Sequence, residues 1–238
     1  MTTMELSVHK LQIVDIGIVD KMKSQDILVL IKLLCLSRLK ATDLLIDSQD
    51  PTLVGWDNEA AFYEYQLRRI DDINVAAERL EHAFSIRGLA ETLGISKSEI
   101  GNSIGRCLNV NLIKISRISK KPEVNKKILF NFIRYGLRLV FPAKPAEIIR
   151  GIPTTFAAPV LKNKLFSAGD LIMVWPDTFG KEMGQSVTPL YKSVPFAVRQ
   201  DPELYSYLAL LDAVRLGNPR EMNMALEQIE EKFFHVSD

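Results

Sequence analysis

Long apolar segments are missing from this chain of 238 residues. The longest candidate, from Ile27 to Leu36, is interrupted by Lys32 and is shorter than the roughly 20 residues that a helix needs to cross a bilayer. The N-terminus, Met-Thr-Thr-Met-Glu-Leu, lacks the basic and then apolar order of a signal peptide. We therefore expect a cytoplasmic protein without a membrane span.

Histidine and cysteine are also scarce. The two cysteines, Cys35 and Cys107, suit a reducing compartment, and we expect both to be reduced and packed as small apolar groups. None of the three histidines, His9, His82 and His235, is spaced with a cysteine as the ligands of a metal site are. The sequence thus gives no reason to expect a metal.

Motifs of catalysis are absent as well. The chain has no P-loop and no glycine-rich dinucleotide fingerprint, and the segment Gly184–Ser186 lacks the context of a hydrolase nucleophile. Four polar residues could line a small pocket, but roles in loop structure are favoured for them: Arg150, Asp170, Asp177 and Gln185. We expect neither an enzyme nor a cofactor.

Charge is distributed unevenly along the chain. The formal net charge is +1, but residues 1–95 carry −5, residues 96–150 carry +9 and residues 151–238 carry −3. A basic segment of this kind attracts a polyanion, and counterion release on binding adds affinity. Nucleic acid is one partner that fits; the alternative is a solvated basic face together with the acidic surface of a partner.

Two helices are predicted before the basic segment. Residues 24–38 are apolar on most sides, with Ser24 as a candidate N-cap, and should lie at the centre of the core. Residues 40–57 have the composition of a loop. Residues 58–83 show helical periodicity as one helix or two, with core packing as the default and a dimer face as the alternative.

A helix, a tight turn and a second helix are predicted at residues 85–109. Ser85 is expected to cap a helix that ends at Leu93, and Gly94 provides the left-handed turn. Ser96 and Glu99 have the spacing of a capping box for the second helix. Its buried stripe is predicted to be Ile100, Ile104 and Leu108. Alternation at residues 112–118 then predicts a strand.

Two glycines in the second helix, Gly101 and Gly105, lie four residues apart and so share one face. Close packing of another backbone is favoured as their role, over a helix that stays mobile until it binds. After a short turn at residues 119–123, another helix is predicted at 125–139, whose basic residues could contact phosphates or form a solvated face.

The segments Leu89–Ile100 and Arg106–Ile113 resemble the winged helix-turn-helix of MarR-like bacterial transcription regulators. The resemblance implies that the helix from Ser96 to about Asn109 enters the major groove and that a β-hairpin wing contacts the backbone or minor groove. By position, the implied DNA-binding residues are Ser96, Lys97, Ser98, Asn102 and Arg106 on the helix, and Lys114, Arg117, Lys120 and Lys121 on or near the wing.

The composition changes near Phe141, where two prolines mark a boundary. Short extended pieces follow, and then helices at 203–216, capped by Asp201, and 219–234. With its Phe141-Pro-Ala, Arg150-Gly-Ile-Pro-Thr and Val174-Trp-Pro-Asp segments, the chain also resembles a family of uncharacterised bacterial proteins that are predicted regulators. Some members are found beside toxin-like nucleotidyltransferases.

These inferences predict a mainly α (α+β) protein. Residues 1–140 would form the winged-helix domain, with a helical insertion at about 40–83, and residues 141–238 would form a smaller region that binds an effector or a partner. The expected function is a homodimeric, sequence-specific regulator of transcription that binds double-stranded DNA. The alternative is an antitoxin-like or scaffold protein whose C-terminal region binds a protein partner.

Overall fold

The computed structural model describes residues 22–40, 59–162 and 171–234, and it describes side chains in the second range only from residue 71. Nearly all of the loop predicted at 40–57 lies outside these residues, as do His9, Asp170 and His235.

The N-terminal part of the described chain is mostly helical, and its elements follow in the order α1 (Ser24–Leu36), α2 (Glu59–Phe84), α3 (Ile86–Leu93), α4 (Lys97–Asn109), β1 (Ile113–Ile115), β2 (Pro122–Val124), α5 (Lys126–Tyr135) and α6 (Leu137–Val140). The remainder contains β3 (Pro145–Thr154), β4 (Met173–Pro176), β5 (Glu182–Val187), α7 (Val194–Val198), α8 (Pro202–Leu216) and α9 (Pro219–Phe234). The prediction of a mainly α, α+β chain is confirmed.

Helix α1 lies at the centre of the fold, as its apolar sequence predicted. All of its residues from Gln25 to Leu36 are buried, and it contacts both α4 and α8. Its one lysine, Lys32, donates to Asp201 at 2.8 Å, and this acid also caps α8. The predicted cap at Ser24 is wrong by one residue: Lys23 is the N-cap, because the Asp26 carboxylate accepts its N–H at 2.8 Å.

Strands β3, β4 and β5 form a small closed sheet. The first half of β3 pairs antiparallel with β5, the second half pairs antiparallel with β4, and β4 and β5 pair in parallel. Gly151 lies where β3 changes partner, and a Cβ there would come within 2.1 Å of the Trp175 carbonyl oxygen. The ten-residue β3 is longer than the short extended pieces that were predicted, because its two halves are stabilised by different strands.

A buried carboxylate joins this sheet to α8. Asp212 accepts from Trp175 Nε1 at 2.6 Å, from Thr154 Oγ1 at 3.1 Å and from Arg215 at 2.6 Å. Burial raises the pKa of Asp212, and the Arg215 charge and the three donors oppose that rise. Arg215 also donates to the Phe141 carbonyl at 2.8 Å, so the network reaches the point where strands replace helices in the chain.

The buried side chains on the two sides of residue 141 belong to one core. Rings of Phe130 in α5 and Phe233 in α9 lie 6.3 Å apart, edge to face. The Ser193 hydroxyl donates to the Leu93 carbonyl at 2.5 Å, which fixes the segment before α7 to the end of α3. The predicted boundary at 141 therefore marks a change of secondary structure within a shared core.

We predict that Asp212→Asn lowers the free energy of unfolding by about 3–5 kcal/mol, because the buried Arg215 guanidinium loses its anion. Urea unfolding followed by circular dichroism measures this. The control, Glu230→Gln, changes an exposed carboxylate of α9 and should leave the midpoint unchanged. A loss below 1 kcal/mol for Asp212→Asn would contradict the Asp212–Arg215 pair as a main support of this buried network.

Candidate nucleic-acid interface

The connection between α3 and α4 has the tight geometry that the sequence predicted. The Ser85 hydroxyl caps α3 by accepting from Gly88 N at 3.0 Å, and Gly94 adopts the left-handed conformation with φ of 63°. Ring and side-chain atoms of Phe196 and Ser193 lie 3.1 and 3.2 Å from where a Cβ on Gly94 would be. The turn is thus held by its own caps and by the segment around α7.

Only half of the predicted capping box forms at the start of α4. The Ser96 hydroxyl accepts from Glu99 N at 3.3 Å, as expected. The Glu99 carboxylate instead accepts from Gln25 and, at 3.4 Å each, from Lys23 and Asn102. These contacts, led by the hydrogen bond from Gln25, lower the pKa of Glu99. The residue predicted as a local cap therefore joins α4 to the start of α1.

The buried face of α4 differs from the predicted stripe. Ile100, Ser103 and Cys107 are buried, whereas Ile104 and Leu108 are only partly buried at the edge of the core. The Asp26 carboxylate of α1 lies against this face. The Ser103 hydroxyl donates to Asp26 Oδ1 at 2.7 Å.

Arg106 is the clearest correction to the predicted DNA-binding residues. Its guanidinium donates to both carboxylate oxygens of Asp26, from Nε at 2.9 Å and from Nη2 at 2.6 Å. The Asp26 side chain is fully buried and that of Arg106 is 19% exposed. Since a buried carboxylate needs a partner, Arg106 serves to hold α4 on α1 and does not face outward. The sequence feature that could have indicated this pair is an aspartate in the first turn of a fully buried helix, since such a carboxylate needs a basic partner.

The outer face of α4 carries small and polar side chains. Ser96, Lys97, Ser98 and Asn102 are all exposed, as the predicted DNA contacts would require. None of the described residues packs closely on the two glycines, so the predicted close packing is not found within this part of the chain.

Of the residues that the structure describes, none lies within 4 Å of a Cβ built on Gly105, and a Cβ on Gly101 would meet the Ile86 side chain alone, at 4.0 Å. The glycines therefore leave the helix backbone open beside Asn102. Another molecule can approach the backbone closely at this surface.

Strands β1 and β2 form an antiparallel hairpin, with Ile113 opposite Val124 and Ile115 opposite Pro122. The strand predicted to reach residue 118 ends at Ile115, and residues 116–121 form the turn. Left-handed backbone at Asn111 (φ 59°) and Lys120 (φ 56°) lets the chain reverse before β1 and inside the turn.

The basic residues of the hairpin fall into two groups. Arg117 and Lys120 are exposed in the turn, and Lys114 is 70% exposed while pairing with Glu123 at 3.2 Å. Lys121, in contrast, contacts α2.

The Lys121 ammonium lies 2.8 Å from the Glu81 carboxylate and 5.1 Å from the centre of the Phe84 ring, and the Lys121 side chain is 25% exposed. The predicted phosphate role of Lys121 is therefore replaced by attachment of the hairpin to α2. The other three basic residues remain available to a ligand.

Helix α5 adds further basic surface, for which the sequence left two roles open. Lys127 and Arg134 are exposed, and Arg134 lies over the Tyr135 ring at 5.5 Å. Lys126 is partly buried, and burial together with the nearby Arg38 charge lowers its pKa. The exposed Lys127 and Arg134 suit a long-range attraction of anions better than a contact with one particular group.

We predict that Lys121→Ala loosens the hairpin, since it removes a surface ion pair and a cation–π contact that together contribute about 1 kcal/mol. Amide hydrogen exchange at Ser116 and Lys120, whose N–H groups are bonded within the turn, measures the change. Exchange should become about five times faster. Lys120→Ala removes a charge from the same turn and should leave Ser116 exchange unchanged; equal effects of the two variants would contradict the attachment.

None of the described helices is both long and apolar enough to cross a membrane, and the same residues contain no cluster of side chains suited to a metal. Comparisons with protein-family models, with curated proteins and with solved structures give no match.

Proposed function

We propose that this protein is a sequence-specific, double-stranded DNA-binding regulator of transcription, with α3, α4 and the β1–β2 hairpin as its winged helix-turn-helix. The observation that carries the proposal is the outer face of α4. Lys97, Ser98 and Asn102 are exposed there, beside two glycines that leave the backbone open. Such a helix can enter the major groove deeply enough for short side chains to contact base edges.

The electrostatics of the segment favour a polyanion. Residues 96–150 carry a net charge of +9, and Lys97, Arg117 and Lys120 are exposed. The N-terminus of α4 adds backbone N–H groups and the positive end of the helix dipole, where a phosphate is stabilised. With Lys114, these groups suit about four phosphates, which gives a salt dependence with a log–log slope between about −3 and −4.

The residues of this surface have different roles. Asn102 can donate to and accept from adenine in the major groove, and Lys97 can donate to guanine. The only side-chain bond of Asn102 among the described residues is a long one, 3.4 Å to Glu99, so its amide can turn toward a base without breaking a buried contact. Ser96, Lys114, Arg117 and Lys120 would contact phosphates, which position the protein without reading sequence.

A homodimer is part of the proposal, because one reading helix covers only a few base pairs. Two copies of α4 related by a two-fold axis, about 34 Å apart, would contact successive major grooves on one side of the duplex. The bound sequence should then be an inverted repeat. Exposed Ile73 and Val75 on α2 support an interface along that helix.

We predict that Asn102→Ala weakens binding to a duplex selected from random sequence by about 1–3 kcal/mol and changes binding to a scrambled duplex little. Lys120→Ala should weaken both duplexes alike and reduce the salt slope by about 1. Fluorescence anisotropy with labelled duplexes at several salt concentrations gives all four comparisons.

The control variant is Lys181→Ala, an exposed lysine between β4 and β5. Sedimentation of the same mixtures gives the stoichiometry, which should be two chains per duplex. Equal weakening of both duplexes by Asn102→Ala would remove α4 as the reading helix. A salt slope near zero would remove DNA as the ligand.

A second candidate function is supported by the surface of the small sheet. The strand register places Ile148 and Met183 on one face, diagonally across β3 and β5, and the spacing from Met173 places Leu171 on that face too. These three side chains are each 51–54% exposed. Exposed apolar side chains grouped on a sheet face favour contact with the apolar surface of a protein partner, as an antitoxin-like or scaffold protein would make.

If this second function holds, a protein retained from native lysate by the full chain should be lost on Met183→Lys, while DNA binding stays unchanged. The retained protein is then purified and must bind wild type, in a saturable way and with fixed stoichiometry. The control is Leu139→Lys, an equally apolar position that is 80% exposed on α6 and outside the sheet. Retention that is insensitive to Met183→Lys would reject the sheet face as the contact.

A further inference from the structure

Ile118, in the turn between β1 and β2, is the most exposed large apolar side chain among the described residues, at 97%. Ile115, at the end of β1, is 48% exposed. Neither the basic segment nor the fold requires an isoleucine at a hairpin tip, where polar residues and glycine are usual. The DNA contacts proposed above do not involve the Ile118 side chain.

Hydrogen bonds hold the backbone of the turn around Ile118. Ser116 N donates to the Lys121 carbonyl at 2.9 Å, and Lys120 N donates to the Ser116 carbonyl at 3.1 Å. The Ser116 hydroxyl accepts from Ser119 N at 3.3 Å. Because Lys121 also fixes the base of the turn to α2, the exposed Ile118 lies at the end of a braced hairpin.

The immediate neighbours of Ile118 are cationic and polar. Arg117 precedes it, Ser119 and Lys120 follow, and all three are exposed. An apolar group flanked by positive charges fits a surface on which apolar atoms lie between two rows of anions. The DNA minor groove has this composition, with sugars and base edges between two phosphate backbones.

An anionic lipid surface also combines negative charges with an apolar interior beneath them. One exposed isoleucine and a half-exposed neighbour offer little apolar area to a bilayer, which is held by a broad apolar helix face or by acyl chains. The narrow tip therefore favours the minor groove.

We propose that Ile118 is an apolar wedge that enters the minor groove, partly unstacks one base step and bends the duplex. The inference rests on the proposed DNA-binding function and adds how the hairpin acts within it. Proteins that place Ile, Leu, Phe or Met between base steps kink DNA in this way, most easily at flexible pyrimidine–purine steps. Arg117 and Lys120 would hold the flanking phosphates while the side chain enters.

The test uses the full chain and a duplex selected from random sequence. Fluorescent dyes at the two ends report bending by energy transfer, and 2-aminopurine placed at successive steps under the hairpin reports unstacking. Wild type should raise 2-aminopurine fluorescence at one step and bring the two ends closer. Ile118→Ala should lose both signals while still binding, and Ile118→Leu should keep them.

Leu139→Ala is the matched control, since Leu139 is 80% exposed on α6 and outside the hairpin. Bending that persists in Ile118→Ala would overturn the wedge and leave the proposed DNA binding intact. If wild type binds no selected duplex, both proposals fail. Binding to phosphatidylserine vesicles that is lost in Ile118→Ala, with no change in the DNA signals, would assign the tip to membranes and overturn the wedge.

Discussion

A single buried carboxylate, that of Asp26, determines how the central helix meets the proposed reading helix. The carboxylate has no exposed surface and accepts from Arg106, Ser103 and the Lys23 backbone. An ionised group in such a place is tolerated only when its lone pairs are satisfied, and removing one partner costs far more than the pair contributes. The orientation of α4 on α1 is therefore strongly specified, and with it the set of α4 residues that face outward.

The same helix is held at its other end by ion pairs to α8. Lys32 pairs with Asp201 at 2.8 Å, and Arg38, just beyond the end of α1, pairs with Glu203 at 3.1 Å. Helix α1 thus packs against α4 near its start and against the C-terminal region near its end. A substitution in the α1–α8 contact would change the support of α4 without touching the proposed DNA surface.

Local sequence signals predicted local structure well. The caps at Ser85 and Ser96 and the left-handed Gly94 were predicted correctly because each depends on residues within four positions. Contacts between residues that lie far apart in the sequence were not predicted.

Arg106 pairs with a residue 80 positions away, and Lys121 with Glu81, 40 positions away. A basic side chain in a basic segment carries no local sign of such an acid partner. The double pairing of β3 was missed for the same reason, since strand partners are set by non-local contacts.

The proposed DNA-binding surface is smaller than the one that the sequence predicted. With Arg106 and Lys121 assigned to internal contacts, the proposed surface is reduced to the outer face of α4 and the turn of the hairpin. The two glycines, Gly101 and Gly105, then gain a simple explanation, because they keep the exposed helix narrow where another molecule would approach. The predicted basic residues that remain in the proposed surface all have exposed side chains: Lys97, Lys114, Arg117 and Lys120.

The most direct test of the central claim is a titration of the isotopically labelled chain with its selected duplex, followed by amide chemical shifts in nuclear magnetic resonance spectra. The account predicts shifts concentrated at residues 96–102 and 116–120, with little change at Gly184–Val187 in β5. Shifts confined to the small sheet, or none at a saturating concentration of duplex, would contradict it.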